Sequence, residues 1–307
     1  MRSTRGDLRS MDLDIDTVRV ARSRADCALL PGEAFLGGGT FLYSEPVRPG
    51  VTGLVDLMGL GWEPWSVDGS GLRVAGTCTL AELVAGPGSL GAPAGDRSGA
   101  PGPYRALGIV GECVSALSLS AKVARTATVG GNLALGLPAG SMVGLFVALD
   151  ARAVVWTPDG GSRELPVADL VTGAGRVDLA PGELLREVRV PGLALGARTA
   201  FRRASLTPTG RTAAMVTGRA LPGGAGSDAA GPDGAGPGRV LLVVSASTPV
   251  PHAQLVRAGD HGALDHWIDS VDVAAGWYED THGTADWRAA MTRRLAHEAL
   301  DELGGGA

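Results

Sequence analysis

The chain has 307 residues, 45% of them hydrophobic, with a formal net charge of -5 and 48 glycines. That length exceeds the usual single domain and supports two, each able to bury a core. The acidic balance argues against a nucleic-acid footprint, which needs a basic surface, and gives no support to a membrane or an acidic substrate as partner.

Residues 1–10 carry no pattern and read as a disordered N-terminus. Residues 13–84 alternate short β-like runs with Gly and Pro punctuation, in "TVRVARS", "EAFLGGGTFLYSEP", "GLVDLMGLG" and "GLRVAGTCTLAELV", a spacing that suits strands and brief helices. Composition makes 86–103 a flexible surface loop. Within it, Gly86 to Gly91 fit G-x-G-x-x-G, but a Pro- and Gly-rich stretch follows where a dinucleotide site needs a helix, so the motif reads as coil. Next, Tyr104, Leu107, Val110, Val114, Leu117 and Ala121 recur at three- and four-residue intervals, which predicts one amphipathic helix. It ends before a strand and turn at "TATVGGN". A further helix is expected over "AGSMVGLFVALDA", a hairpin at Asp159-Gly160, and a closing strand over "GELLREVRVP". The domain boundary falls between Thr172 and Pro191. Beyond it, "TAFRRASL", "TAAMVTGRAL" and "RVLLVVSAS" are three strands, the last two split by a flexible low-complexity insertion at 222–238. From Asp265 to Leu303 the pattern is helical, with Trp287, Met291, Leu295 and Ala299 on one face.

Cys27, Cys78 and Cys113 stand far apart with no C-x-x-C spacing, neither a disulfide framework nor a metal cage, and they cannot hold an iron–sulfur cluster within this chain. The N-terminus has no apolar core and no apolar run reaches membrane-spanning length, so a reduced, cytoplasmic protein is expected. His252, His261, His266, His282 and His297 take no metal spacing and read as surface or helix histidines. Trp62 and Trp65 read as packing residues. No Ser–His–Asp arrangement is arguable, because a fold assembles one without any local mark.

Two glycine clusters remain, "LGGGTFLY" with Gly37, Gly38, Gly39 and Thr40, and "ATVGGNL" with Gly130, Gly131 and Asn132. Glycine permits positive φ and lets successive N–H groups face one concavity, a nest that binds phosphate without a side-chain cation. Each alone reads more readily as a tight turn. Together they could flank one pyrophosphate, with Thr40 and Asn132 bonding its oxygens or a ribityl chain.

The pair, in this order, resembles the FAD-binding medium subunit of the molybdenum hydroxylases, the family of carbon monoxide dehydrogenase and xanthine dehydrogenase. Its first loop reads like A-G-G-H-S or A-G-G-T, and its second, A-T-[IV]-G-G-N-L, is matched by Ala127 to Leu133. "LPAGSMVGLFVALDARAVV" and "LAPGELLREVRVP" are similar to further family segments, so that the likeness runs from about Ala34 to the C-terminal helices.

The resemblance implies an α+β fold. Residues 11–178 would form a vanillyl-alcohol-oxidase (PCMH)-type FAD-binding domain of two α+β subdomains. Residues 190–303 would form a small C-terminal domain with a three-stranded antiparallel sheet and a helix bundle. FAD is the implied cofactor. Leu36, Gly37, Gly38, Gly39, Thr40, Phe41 and Leu42 would hold it in the first loop, and Thr128, Val129, Gly130, Gly131 and Asn132 in the second. Ser141 would lie near the ribose or ring, Leu184 and Leu185 beside the isoalloxazine, and Arg202 where it could stabilise anionic flavin. Tyr43 could touch adenine or ribose, or pack. Implied partners are an iron–sulfur small subunit and a molybdopterin large subunit, with NAD+ or oxygen as electron acceptor. Ser141 stands where relatives carry Asp, Arg125 where they carry Asn, and Thr40 where many carry His. The alternatives are a free-standing FAD-dependent oxidase or dehydrogenase and a non-catalytic FAD-binding assembly protein.

Overall fold

The computed structural model describes residues 15–42, 49–91, 102–221, 238–274 and 276–305. Both ends of the chain, Tyr43 and most of the 222–238 insertion lie outside these residues. Short runs between breakers form β1 (Thr17–Val20), β2 (Glu33–Leu36) and β3 (Gly53–Asp56), a parallel sheet in the order β1-β3-β2. Gly53 on the central strand leaves the space where its Cβ would come within 3.0 Å of Glu33 Cγ. Across it the Arg19 guanidinium grips Glu33, at 2.7 Å to each carboxylate oxygen.

The second sheet is antiparallel. Its strands are β4 (Trp65–Asp68), β5 (Gly71–Ala75), β6 (Arg152–Trp156) and β7 (Ser162–Pro166), then, after a small hairpin of β8 (Val171–Gly173) and β9 (Arg176–Val177), β10 (Leu184–Pro191). The order is β4-β5-β10-β6-β7. The strand expected to close the sheet in sequence thus occupies its centre, and the sheet includes residues up to Pro191. The β6–β7 turn forms at Asp159-Gly160 as its residues dictate, with Gly160 at φ +88° and the Asp159 carboxylate accepting from the Gly161 amide at 3.0 Å.

Between β5 and β6 the chain is more broken and more helical than its pattern suggests. The stretch read as coil forms a π-helical turn at Val84–Gly88 and an α-turn at Ser89–Gly91, because Pro87 is buried and Gly86 packs where only a side-chain-free residue fits beside the Trp65 indole. The single helix expected over 104–121 is three pieces, a 3-10 turn Arg105–Ile109 and helices Val110–Ser115 and Ala121–Ala124. Ser118 at φ +54° breaks it, and Ser120 caps the next piece by accepting from the Val123 amide at 3.2 Å. The helix Ser141–Ala148 forms as expected and is buried along its whole length.

The C-terminal sheet has four strands rather than three, β11 (Thr199–Ala204), β12 (Ala214–Leu221), β13 (Arg239–Ser245) and β14 (His252–Arg257), antiparallel in that order. The fourth is a half-exposed edge strand whose polar residues mask its period. Alternation sorts side chains onto two faces: Phe201, Met215 and Val243 join the core of the first unit, while Ala200, Ala214, Val216, Leu242 and Val244 join a second core under helices His261–Ala274 and Ala285–Gly304. The last helix buries Leu295 and Ala299 of the expected stripe together with Arg288, Thr292 and Leu303, while Trp287 and Met291 are only half-buried.

Candidate functional site

The two glycine segments, remote in sequence, lie against each other. A Cβ on Gly38 would fall 1.6 Å from the Thr126 carbonyl oxygen, and one on Gly37 2.9 Å from Thr128 Oγ1. Backbone can approach backbone this closely only without side chains. Among the described residues, the amides of Gly37, Gly38 and Gly39 have no hydrogen-bond partner, and all three residues are half-buried. Three successive amides without a protein acceptor among the described residues form a donor set suited to an anion. Only Gly39 has positive φ, +70°. At the other two positions close approach, not a left-handed backbone, demands glycine. The run leaves the C-terminal end of β2, the edge of a parallel sheet where ligands commonly sit.

The second segment is not the expected strand and turn. It starts the helix Val129–Leu135, capped by Thr128, whose Oγ1 accepts from the Gly131 amide at 3.0 Å. The amides of Val129 and Gly130 donate to the Cys78 and Gly76 carbonyls at 2.8 and 2.9 Å, and that of Asn132 to the Thr128 carbonyl at 3.0 Å. Its first-turn donors are therefore paired, and the unpaired ones belong to 37–39. Gly130 serves packing, since a Cβ there would lie 2.6 Å from the Gly76 oxygen.

Gly76 was not singled out in the sequence, yet it joins three parts of the site. Its carbonyl holds Gly130, its amide donates to the Arg186 carbonyl at 2.8 Å, and a Cβ on it would lie 2.3 Å from the Leu185 oxygen. Its one sequence signal is a glycine placed directly after a strand. Thr126, whose carbonyl meets Gly38, carried no signal at all.

The remaining expected residues divide. Leu36 ends β2; Thr40 and Leu42 are half-buried, and Phe41 is 38% exposed beside the glycine run. Asn132 Oδ1 accepts from the Met142 amide at 3.4 Å, tying one helix to the next. Ser141 is fully buried and donates its hydroxyl to the Cys113 carbonyl, so its one side-chain oxygen faces the interior. Leu184 and Leu185 are buried in β10 opposite Trp156 and Val155. Arg202 is paired with Glu298 at 3.5 Å and Glu302 at 2.6 Å on the last helix. Exposed Arg125 donates to the Ala121 carbonyl at 3.3 Å. Burial, with the Glu82 charge adding to it, pushes the neighbouring Cys78 thiol up to about 12. Among the described residues no group of three or more His, Cys, Asp or Glu side chains could hold a metal ion, and no helix is long and apolar enough to cross a membrane.

A family model for the FAD binding domain in molybdopterin dehydrogenase matches residues 30–193, a span that contains both glycine segments. The chain belongs to this family. FAD is thus its cofactor, and the chemistry of the glycine run is compatible with it: the 37–39 amides, without an acceptor among the described residues, are donors of the kind an anionic group takes. Solved structures extend the likeness beyond the family's FAD-binding domain to nearly the whole chain. Reconstituted carbon monoxide dehydrogenase from Oligotropha carboxidovorans matches with a TM-score of 0.75 at 21% identity, over 95% of this chain and 98% of that one. Carbon monoxide dehydrogenase from Hydrogenophaga pseudoflava, lacking the Mo-pyranopterin moiety of its molybdenum cofactor, matches at 0.71 and 18%, over 93% and 96%. Quinoline 2-oxidoreductase from Pseudomonas putida 86 matches at 0.70 and 17%, over 94% and 98%. At such identities the likeness is one of fold. No curated protein sequence matches the chain.

Proposed function

We propose that the chain is the flavin-carrying subunit of a molybdenum-hydroxylase-like oxidoreductase. In this reading FAD lies between the N-terminal parallel sheet and the antiparallel sheet, in the vanillyl-alcohol-oxidase manner. Bound FAD supplies the redox chemistry. The partners we assign are an iron–sulfur small subunit and a molybdopterin large subunit, with NAD+ or oxygen as final acceptor, in the cytoplasm. The carbon monoxide dehydrogenase and quinoline 2-oxidoreductase folds support that assignment.

The observation that carries the reading is the run of unpartnered amides at Gly37, Gly38 and Gly39, set against Thr126 and Thr128. Amides fixed by the fold bind an anionic oxygen without reorganising, and the bonds they make to it are charge-assisted. Thr128 steadies the facing helix end, Thr40 and Asn132 extend the polar lining, and Leu184 and Leu185 form the apolar backing behind Gly76. Arg202 would have to leave Glu298 and Glu302 to reach a ring, so we assign it to the C-terminal unit's own ion pairs.

Gly38→Ala tests this. The added methyl meets main chain that cannot yield, so the purified variant should lack flavin absorbance while keeping the wild-type circular dichroism. Gly111→Ala, where a Cβ meets open space, should keep its FAD. Stoichiometric FAD in Gly38→Ala would overturn the assignment.

A further inference from the structure

Among the described residues, little apolar contact attaches the N-terminal sheet to the body. Ala21, Leu54, Val55 and Leu57 are buried, yet none belongs to either of the two large apolar clusters. At the glycine segments the two parts meet through main chain, with few side-chain atoms to contribute dispersion.

A second contact crosses the same gap. Arg24, on the segment that follows β1, places its guanidinium carbon 4.4 Å from the centre of the Trp156 ring at the end of β6. The same guanidinium donates to the Gly161 carbonyl in the β6–β7 turn. Trp156 is itself fixed from the other side. Trp62 meets it edge-on at 5.2 Å and 80°, and Arg186 lies 4.0 Å over Trp62. Arg186 is the residue whose carbonyl receives the Gly76 amide behind the glycine site. One stack therefore runs from the edge of the small sheet, through two indoles, to the Arg186 main chain behind the glycine segments.

We propose that Arg24, seated on Trp156 and on the Gly161 carbonyl, is a positioning residue that latches the N-terminal sheet against the body and thereby sets how long FAD stays bound. The inference rests on the FAD reading above. It assigns Arg24 no contact with the cofactor. An exposed cation–π pair contributes modestly, and here it supplements an interface that has little else.

The test uses the full chain as Arg24→Ala, Arg24→Lys, Trp156→Leu and the double variant Arg24→Ala/Trp156→Leu. Two quantities are measured: FAD release after dilution, followed by flavin fluorescence, and amide hydrogen exchange of Leu54 and Val55 in the cofactor-free chain. Arg24→Ala should speed both by about two- to fivefold, as loss of an exposed cation–π contact implies. The double variant should be no faster than Arg24→Ala, since losing the guanidinium already removes its contacts with both Trp156 and Gly161, and Arg24→Lys should recover part of the effect. Wild-type release in Arg24→Ala overturns the latch and leaves the FAD reading standing. Independent, multiplying effects in the double variant overturn it too. A wild-type chain that takes up no FAD overturns both readings.

Discussion

Arg288 is 1% exposed, and every polar atom of its guanidinium is spent. Nε donates to the Gly283 carbonyl at 3.1 Å, Nη1 to the carbonyls of Ala213 and Ala246 at 2.6 Å each, and Nη2 to Asp280. The Tyr278 ring lies 5.3 Å from its carbon. This one side chain ties the last helix to β12, to the end of β13 and to the loop before the helix. Arg288→Met should cost about 3–5 kcal/mol, the usual result of breaking a buried charged network, read as a fall in the denaturation midpoint. Cysteines give a second test at this scale. Cys78 and Cys113 are buried with thiols pushed well up by desolvation, whereas Cys27 is half-exposed. A thiol reagent should label one cysteine in the native chain and three after denaturation. What sequence can and cannot show is also visible here. Gly38 stood out because side chains were missing, but its partner Thr126 was invisible, since a carbonyl oxygen is common to every residue. Arg288 likewise carried no mark, because what makes a buried arginine tolerable is acceptors from distant segments.

Among the elements, the small parallel sheet is tied across its width by an ion pair. Arg19 on β1 and Glu33 on β2 pair across β3, and the Leu30 amide adds a bond of 2.7 Å to the same carboxylate. The Arg19 hydrogen bonds first, and the Leu30 amide next, hold the Glu33 carboxyl at about 2, below its ordinary 4.5. A carboxyl depressed in the folded state contributes stability above its unfolded value and loses it as pH falls towards the folded one. The sheet should therefore loosen between about pH 4.5 and 2, read by amide exchange of Val55, and Glu33→Gln should flatten that dependence. Strands and the Asp159-Gly160 hairpin were legible because their period and turn chemistry are local. The broken helix over 104–124 was not, because its apolar spacing survives the interruption at Ser118 while the geometry does not. The start of the Val129 helix looked like a strand for a related reason: β-branched Thr126, Thr128 and Val129 are there to cap and to pack, and the two glycines admit Gly76.

At the scale of the whole molecule, the two units share one core. Helix Ser141–Ala148 is buried from end to end between them. The C-terminal sheet also reaches into it with polar atoms: Thr217 donates its hydroxyl to the Gly144 carbonyl at 2.8 Å, and Arg219 donates to the Ala148 carbonyl at 2.8 Å. The mutual burial of the sheets could not be read from patterning, because an all-apolar helix does not say how many neighbours it has. The family match stops at 193 and the five-stranded sheet at Pro191. Neither limit is a limit of folding. A chain ended at Pro191 would present the bare flank of that helix to water, and it should elute as aggregate on size exclusion where the full chain does not. The flavin-binding half thus borrows part of its lining from the C-terminal sheet, and a folded preparation of it should need both parts of the chain.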